Sequence, residues 1–116
     1  MNKQTIGLVI AGILVVFGAA AVVLNSSKSQ PTLAVSFSVK AEQAPAETIK
    51  VKQGQTVKIT FNPEINDEAH LHGYDILTEL KANKPVTTEF IADLTGEFEL
   101  ETEKSGQVIA VFKVSP

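Results

Sequence analysis

Beyond residue 32, apolar and polar residues alternate in short runs broken by turn residues roughly every ten positions, the pattern of antiparallel strands in a β-sandwich or barrel. Leu33, Val35, Phe37 and Val39 share one face of an extended segment Leu33–Lys40, while Ala34, Ser36, Ser38 and Lys40 take the other. Ala41–Ala46, with Pro45, reads as a connection, and Thr48–Lys52 sets Ile49 and Val51 on a common face. Gln53-Gly54 turns the chain into Thr56–Asn62, where Val57, Ile59 and Phe61 point inward and Thr56, Lys58 and Thr60 outward. Asn62–Glu68 is polar and broken by proline, so it reads as a surface loop leading into a strand over His70–Glu79. Leu80–Pro85 turns, and Val86–Asp93 is extended with Phe90 in the core. After the Thr95-Gly96 turn, Gly96–Glu103 places Phe98 and Leu100 on one face. Lys104-Ser105-Gly106 turns once more, and the apolar Gln107–Val114 closes the chain. About seven strands and no helix longer than a turn are expected, around one small core that buries roughly 60–65% of the chain's surface and is marginally stable.

The amino-terminal quarter has a different texture. Ile6 to Leu24 is a run of 19 residues without a charged, amide or hydroxyl side chain. As a helix it spans about 28 Å, close to the hydrocarbon thickness of a bilayer. The pattern predicts a cytoplasmic tail at 1–5, a transmembrane helix at 6–24, a flexible tether at 25–31 and a folded domain at 32–116. A cleaved signal peptide is the rival reading, because Lys3 precedes the run and Ala19-Ala20-Ala21 offers small residues for a peptidase. The run continues through Val22, Val23 and Leu24, past the length of an ordinary h-region, which favours an uncleaved anchor. Either way the domain is expected on the extracytoplasmic side, single-pass at the cell membrane or secreted, since the amino terminus and Lys3 stay inside.

From Asn25 onward the chain carries 9 lysines, no arginine and 13 acidic residues, a net charge of −4. That balance offers neither a nucleic-acid surface nor a patch for anionic lipid. Cysteine is absent, which removes disulfides, thiolate catalysis and thiolate metal sites. The single methionine is the initiator, so a metal site in this chain is built from imidazole, carboxylate, backbone or water.

Both histidines fall within Asp67–Ile76, two positions apart. In an extended strand His70, His72 and Tyr74 share one face, and the two histidine Cα atoms stand roughly 6.6 Å apart, close enough for both rings to reach one ion. Asp67, Glu68 and Asp75 are the nearby oxygen donors. Imidazole with carboxylate suits Cu(II), with Zn(II) the second choice, and proton competition lowers affinity below about pH 6. The competing structural reading is a polar pair of histidines hydrogen-bonded to those carboxylates at the rim of a sandwich. Tyr74 reads as a core residue with its hydroxyl near the rim. Glu97, Glu99, Glu101 and Glu103 form an acidic stripe at period two, read as the solvated back of a one-sided sheet rather than as a cation ladder.

Ile49-x-Val51-x-x-Gly54-x-x-Val57-x-Ile59-x-Phe61-Asn62, the polar loop before His70, then Tyr74-Asp75, Gly96-x-Phe98 and the closing valine-rich strand resemble the cupredoxin family. The resemblance covers 31–116. More narrowly, Glu68-Ala69-His70-Leu71-His72-Gly73-Tyr74-Asp75 followed by Gly96-Glu97-Phe98-Glu99 is similar to small, membrane-anchored bacterial cupredoxin-like domains. It implies an all-β, Greek-key β-sandwich, with His70 where family members place their first copper-ligating histidine. The departure is as informative: Thr102 falls near the family's copper-binding Cys, and Glu103–Gln107 contains no histidine or methionine. A type 1 copper centre, which needs two histidines and a cysteine, cannot be assembled from this chain.

Two function classes follow. One is an anchored, extracytoplasmic binding module for Cu(II), held by His70 and His72 with oxygen from Asp67, Glu68 or Asp75. The alternative is a metal-free interaction or accessory module at the outer face of the membrane. An enzyme is not expected, because no nucleophile turn or phosphate-cradling glycine loop is present and a metal hydrolase needs three protein ligands.

Overall fold

The computed structural model describes residues 30–116. The expected tail at 1–5, the span at 6–24 and the tether up to residue 29 lie outside the described residues. Residues Leu33–Pro116 form one compact unit of eight strands, and no helix occurs among the described residues. The strands are β1 (Leu33–Val39), β2 (Glu47–Lys52), β3 (Thr56–Pro63), β4 (Asp67–Leu71), β5 (Ile76–Leu80), β6 (Val86–Ile91), β7 (Gly96–Thr102) and β8 (Gln107–Ser115).

They assemble into a three-stranded sheet, β1-β3-β6, and a five-stranded sheet, β2-β8-β7-β4-β5. Each sheet turns one face inward. Val57, Ile59 and Phe61 on β3, Leu71 on β4, Leu80 on β5, Leu100 on β7 and Phe112 on β8 are all buried in a single core. Phe112 organises its centre, with the rings of Phe37 and Phe90 edge-on to it at 6.5 and 5.8 Å. Such T-shaped contacts match the positive ring edge to the negative face.

The sheets are mixed, where the alternation pattern alone predicts antiparallel strands. β1 pairs with β3 in parallel and β2 with β8 in parallel. The cause lies in the connections: the chain passes from β1 in one sheet to β2 in the other and returns to β3, so β1 and β3 run the same way. A second difference falls on the histidine segment. Asp67 and Glu68 belong to β4 rather than to the preceding loop, and His70–Glu79 is two strands joined by a tight turn at His72–Asp75. Gly73 and Asp75 carry positive φ values of 88° and 57°, which a continuous strand does not tolerate.

Because Phe112 is fully buried and touches two other rings, Phe112→Ala should lower the unfolding free energy by about 3–5 kcal/mol. Urea denaturation followed by far-UV circular dichroism measures this, and a loss below about 1 kcal/mol would contradict a core centred on this ring.

Candidate metal centre

β4 lies between β5 and β7 in the five-stranded sheet. Its burial alternates: Asp67, Ala69 and Leu71 face the core, which leaves Glu68 and His70 on the outer face. On β7 the same alternation buries Leu100 and Thr102 and turns Glu97, Glu99 and Glu101 outward, and Glu103, the first residue of the turn after β7, continues the row. The antiparallel register sets His70 opposite Glu101, and two residues further the His72 N–H donates to the Glu99 carbonyl at 2.9 Å. Glu103 is tied in from the other end, its N–H donating to the Glu68 carbonyl at 2.8 Å. Two histidines and a row of glutamates thus meet on the outer face of one sheet.

Both imidazoles lean diagonally along the ladder in the same sense. His70 Nδ1 lies 2.8 Å from Glu103 Oε2, and His72 Nε2 lies 2.8 Å from Glu101 Oε1. An ionised carboxylate only accepts, so in these two hydrogen bonds the ring nitrogens carry the hydrogens; His72 then keeps a lone pair at Nδ1, and an ion held by both His70 and Glu103 would displace the proton between them. The two rings are neighbours, with centroids 4.1 Å apart and planes inclined by 37°. One ligand atom each from His70, His72 and Glu103 falls within 4.8 Å of the other two, a set that could hold a metal ion. The side chains are 22%, 43% and 41% exposed, so an ion has a direct path from solvent.

The oxygen donors expected from the sequence are distributed differently. Asp67 is 2% exposed and faces the core side of β4, away from the histidines. Its Oδ1 accepts the N–H groups of Glu68 and Lys104, while Oδ2 accepts the Ser105 N–H and hydroxyl. Burial pushes the Asp67 carboxyl up, but those four hydrogen bonds outweigh it and hold the group below its ordinary value. Glu68 shares the outer face with His70 but stands outside the convergent group. Asp75 Oδ1 approaches His70 Nε2 only to 3.9 Å, on a side chain 87% exposed. Tyr74 turns inward instead of sharing the histidine face, its ring 4.8 Å from both Phe90 and Phe98. Burial pushes its phenol up, and although the bond to Leu94 opposes this, the nearby Asp93 charge reinforces it.

Glu101 and Glu103, read from the sequence as part of a solvated stripe, are therefore the carboxylates that reach the rings. The signal was a period-two row of acids to match a period-two pair of bases. What sequence periodicity withholds is that β7, some thirty residues away, is the neighbour of β4.

The comparisons bear on the fold. The structure is similar to the solution structure of a copper-binding protein in its apo form, with a TM-score of 0.61 and 15% identity over 77% of this chain and 93% of that one. It is also similar to the metal-binding domain of the Cu(I)-exporting P-type ATPase CopA of Streptococcus pneumoniae D39, at 0.58 and 17% over 74% of this chain and 97% of that one. The fold is cupredoxin-like. The copper nitrite reductase of Nitrosomonas europaea matches over 74% of this chain but only 42% of its own, with a TM-score of 0.60 and 15% identity. No protein-family profile and no curated protein sequence matches the chain.

The donor chemistry of this chain does not fit a type 1 copper site. It has no cysteine, and Thr102, near the expected position of that ligand, is 1% exposed, with its hydroxyl 2.6 Å from the Ser105 hydroxyl. Thr102 and His70 point to opposite faces of the sheet. The histidine–glutamate set does fit a divalent ion of intermediate softness.

Asp67 supplies a test of how the Glu103 side of the site is held. Asp67→Asn removes the charge that collects these donors and should lower the unfolding free energy at pH 7 by about 1.5–3 kcal/mol. Since the folded-state value is depressed, this contribution is full above the ordinary value of 3.8 and is lost as pH falls through the folded value. The gap between wild type and Asp67→Asn should therefore close in acid. A gap that is constant from pH 7 to pH 2.5 would contradict the assignment.

Proposed function

We propose that this chain is a metal-binding module that takes Cu(II) through His70, His72 and Glu103, with Zn(II) the weaker competitor. The observation that carries the reading is the convergence of those three ligand atoms within 4.8 Å on the outer face of a cupredoxin-like sandwich. Two imidazoles and a carboxylate suit Cu(II), and without thiolate or thioether donors the chain has nothing to favour Cu(I). Glu101 has a supporting role: hydrogen-bonded to His72, it fixes the orientation and basicity of that ring. Bound copper would supply Lewis acidity and charge. The protein's part is to hold the ligands.

On this reading the module is not an enzyme and not a type 1 electron carrier. The apolar run at 6–24 supports a single membrane anchor with the domain outside the cytoplasmic membrane. A second reading, a metal-free interaction module, draws support from exposed apolar side chains. Leu77, directly opposite His70 on β5, is 57% exposed, and Leu94 is 47% exposed.

Isothermal titration of the full-length chain in detergent with Cu(II) separates the two. One ion per chain should bind, and His70→Ala, His72→Ala or Glu103→Gln should each weaken binding by roughly tenfold or more, about 1.4 kcal/mol. Wild-type affinity no tighter than that of the His70→Ala/His72→Ala double variant would end the metal reading and leave the interaction module.

A further inference from the structure

The two histidines are held in unequal ways. His70 sits inside β4, paired to Leu77 on one side and Glu101 on the other, so its backbone is fixed by ladders on both edges. His72 lies one residue past the end of β4, in the turn closed by the Asp75 N–H donating to the Leu71 carbonyl at 2.9 Å. Its direct backbone tie is the hydrogen bond to Glu99. Whatever fixes this turn therefore fixes the distance between the imidazoles.

The turn is anchored by the residues immediately after His72. Gly73 lies against the Phe98 ring so closely that a Cβ there would stand 2.4 Å from Cδ1 and 2.7 Å from Cε1, and its φ of +88° disfavours a side chain independently. Tyr74 then drops between Phe90 and Phe98. Its hydroxyl donates to the Leu94 carbonyl at 2.9 Å and accepts the Leu94 N–H at 3.1 Å. One phenol oxygen thus ties the β4–β5 turn to the β6–β7 loop through both polar groups of one residue. Outward His72 and inward Tyr74 are the two ends of the same short lever.

From this arrangement we infer that Tyr74 is a positioning residue for the metal site, its hydroxyl clamp on Leu94 holding the His72 imidazole beside His70. The inference rests on the Cu(II) reading for its functional meaning, and on the packing of the β4–β5 turn for its structural content. The Phe98 surface under Gly73 is the second part of the same device, which makes position 73 intolerant of any side chain. Tyr74 touches no ligand atom in this account; it acts through the backbone of residues 72 to 74.

Tyr74→Phe is the discriminating variant, since it keeps the ring that packs on Phe90 and Phe98 and removes only the clamp. In the full-length chain in detergent, Tyr74→Phe should stay folded and bind Cu(II) some five- to tenfold more weakly, measured by titration with the metal alone. In a His72→Ala background the same change should alter affinity less than twofold, because the ring it positions is gone. A merely structural role would lower affinity equally in both backgrounds, and that result would overturn the inference, as would unchanged affinity in the single variant. Proton NMR of the metal-free chain gives a readout independent of copper. A cross-relaxation peak between the two imidazoles should be present in wild type and weakened in Tyr74→Phe, and equal peaks in both would also overturn it. Wild type that binds no Cu(II) but shows this NMR difference would remove the metal function while leaving the clamp standing.

Discussion

Three residue pairs, Ala69 with Thr102, His70 with Glu101 and Leu71 with Leu100, hold β4 against β7, and because side chains alternate with period two this register decides both faces of the sheet. On the inner face it places Leu71 and Leu100 in the core. On the outer face it lays two histidines against a row of glutamates. A slip of one residue on β4 would send His70 toward the core and Leu71 into solvent, so the burial of those leucines protects the site. Roughly 1.5–3 kcal/mol per fully buried aliphatic side chain stands against that slip. Hydrophobic burial and candidate chemistry are thus coupled through a single strand pairing.

The ends of that pairing are fixed by two side chains that point the other way. Asp67, at the start of β4, gathers donors from the β7–β8 turn and so steadies the chain immediately after Glu103. Tyr74, after its end, ties the β4–β5 turn to Leu94. Asp67 is buried and Tyr74 half-buried, and both bond chiefly to backbone groups, the Ser105 hydroxyl on Asp67 being the one side-chain donor. In a domain of this size, where little surplus stability exists, such fully bonded groups hold loops that hydrophobic burial alone would leave loose. The open face between them is left to the imidazoles and carboxylates.

Much of this was legible in the chain. Strands β1, β3 and β7 follow the alternation of Leu33–Val39, Val57–Phe61 and Phe98–Leu100 almost residue for residue, because each packs one face on the core, while β8 matches the closing apolar run in extent and buries Ile109 and Ala110 in succession at a register shift against β7. The closeness of His70 and His72 was legible from their spacing, although His72 lies in the turn just past the end of β4 rather than in a strand. The limits have physical causes. β4 was hidden because its inward Asp67 is a buried acid, which breaks the expected contrast between an apolar inner face and a polar outer one. Tyr74 was assigned to the histidine face because period two carries on through any stretch without proline, whereas Gly73 and Asp75 reverse the chain with positive φ. Glu101 and Glu103 could not be matched to the histidines because strand order is set by tertiary packing, not by local pattern.

The cupredoxin-like scaffold in this chain thus presents its histidines outward on a sheet face instead of supplying the buried cysteine-containing set of a type 1 centre. An exposed nitrogen–oxygen set would bind copper in a tetragonal, solvent-accessible environment. Electron paramagnetic resonance of the full-length chain loaded with one equivalent of Cu(II) tests that most directly. Binding by His70 and His72 gives a type 2 spectrum with hyperfine structure from two imidazole nitrogens, reduced to one in His72→Ala; a spectrum indistinguishable from Cu(II) in buffer would contradict it.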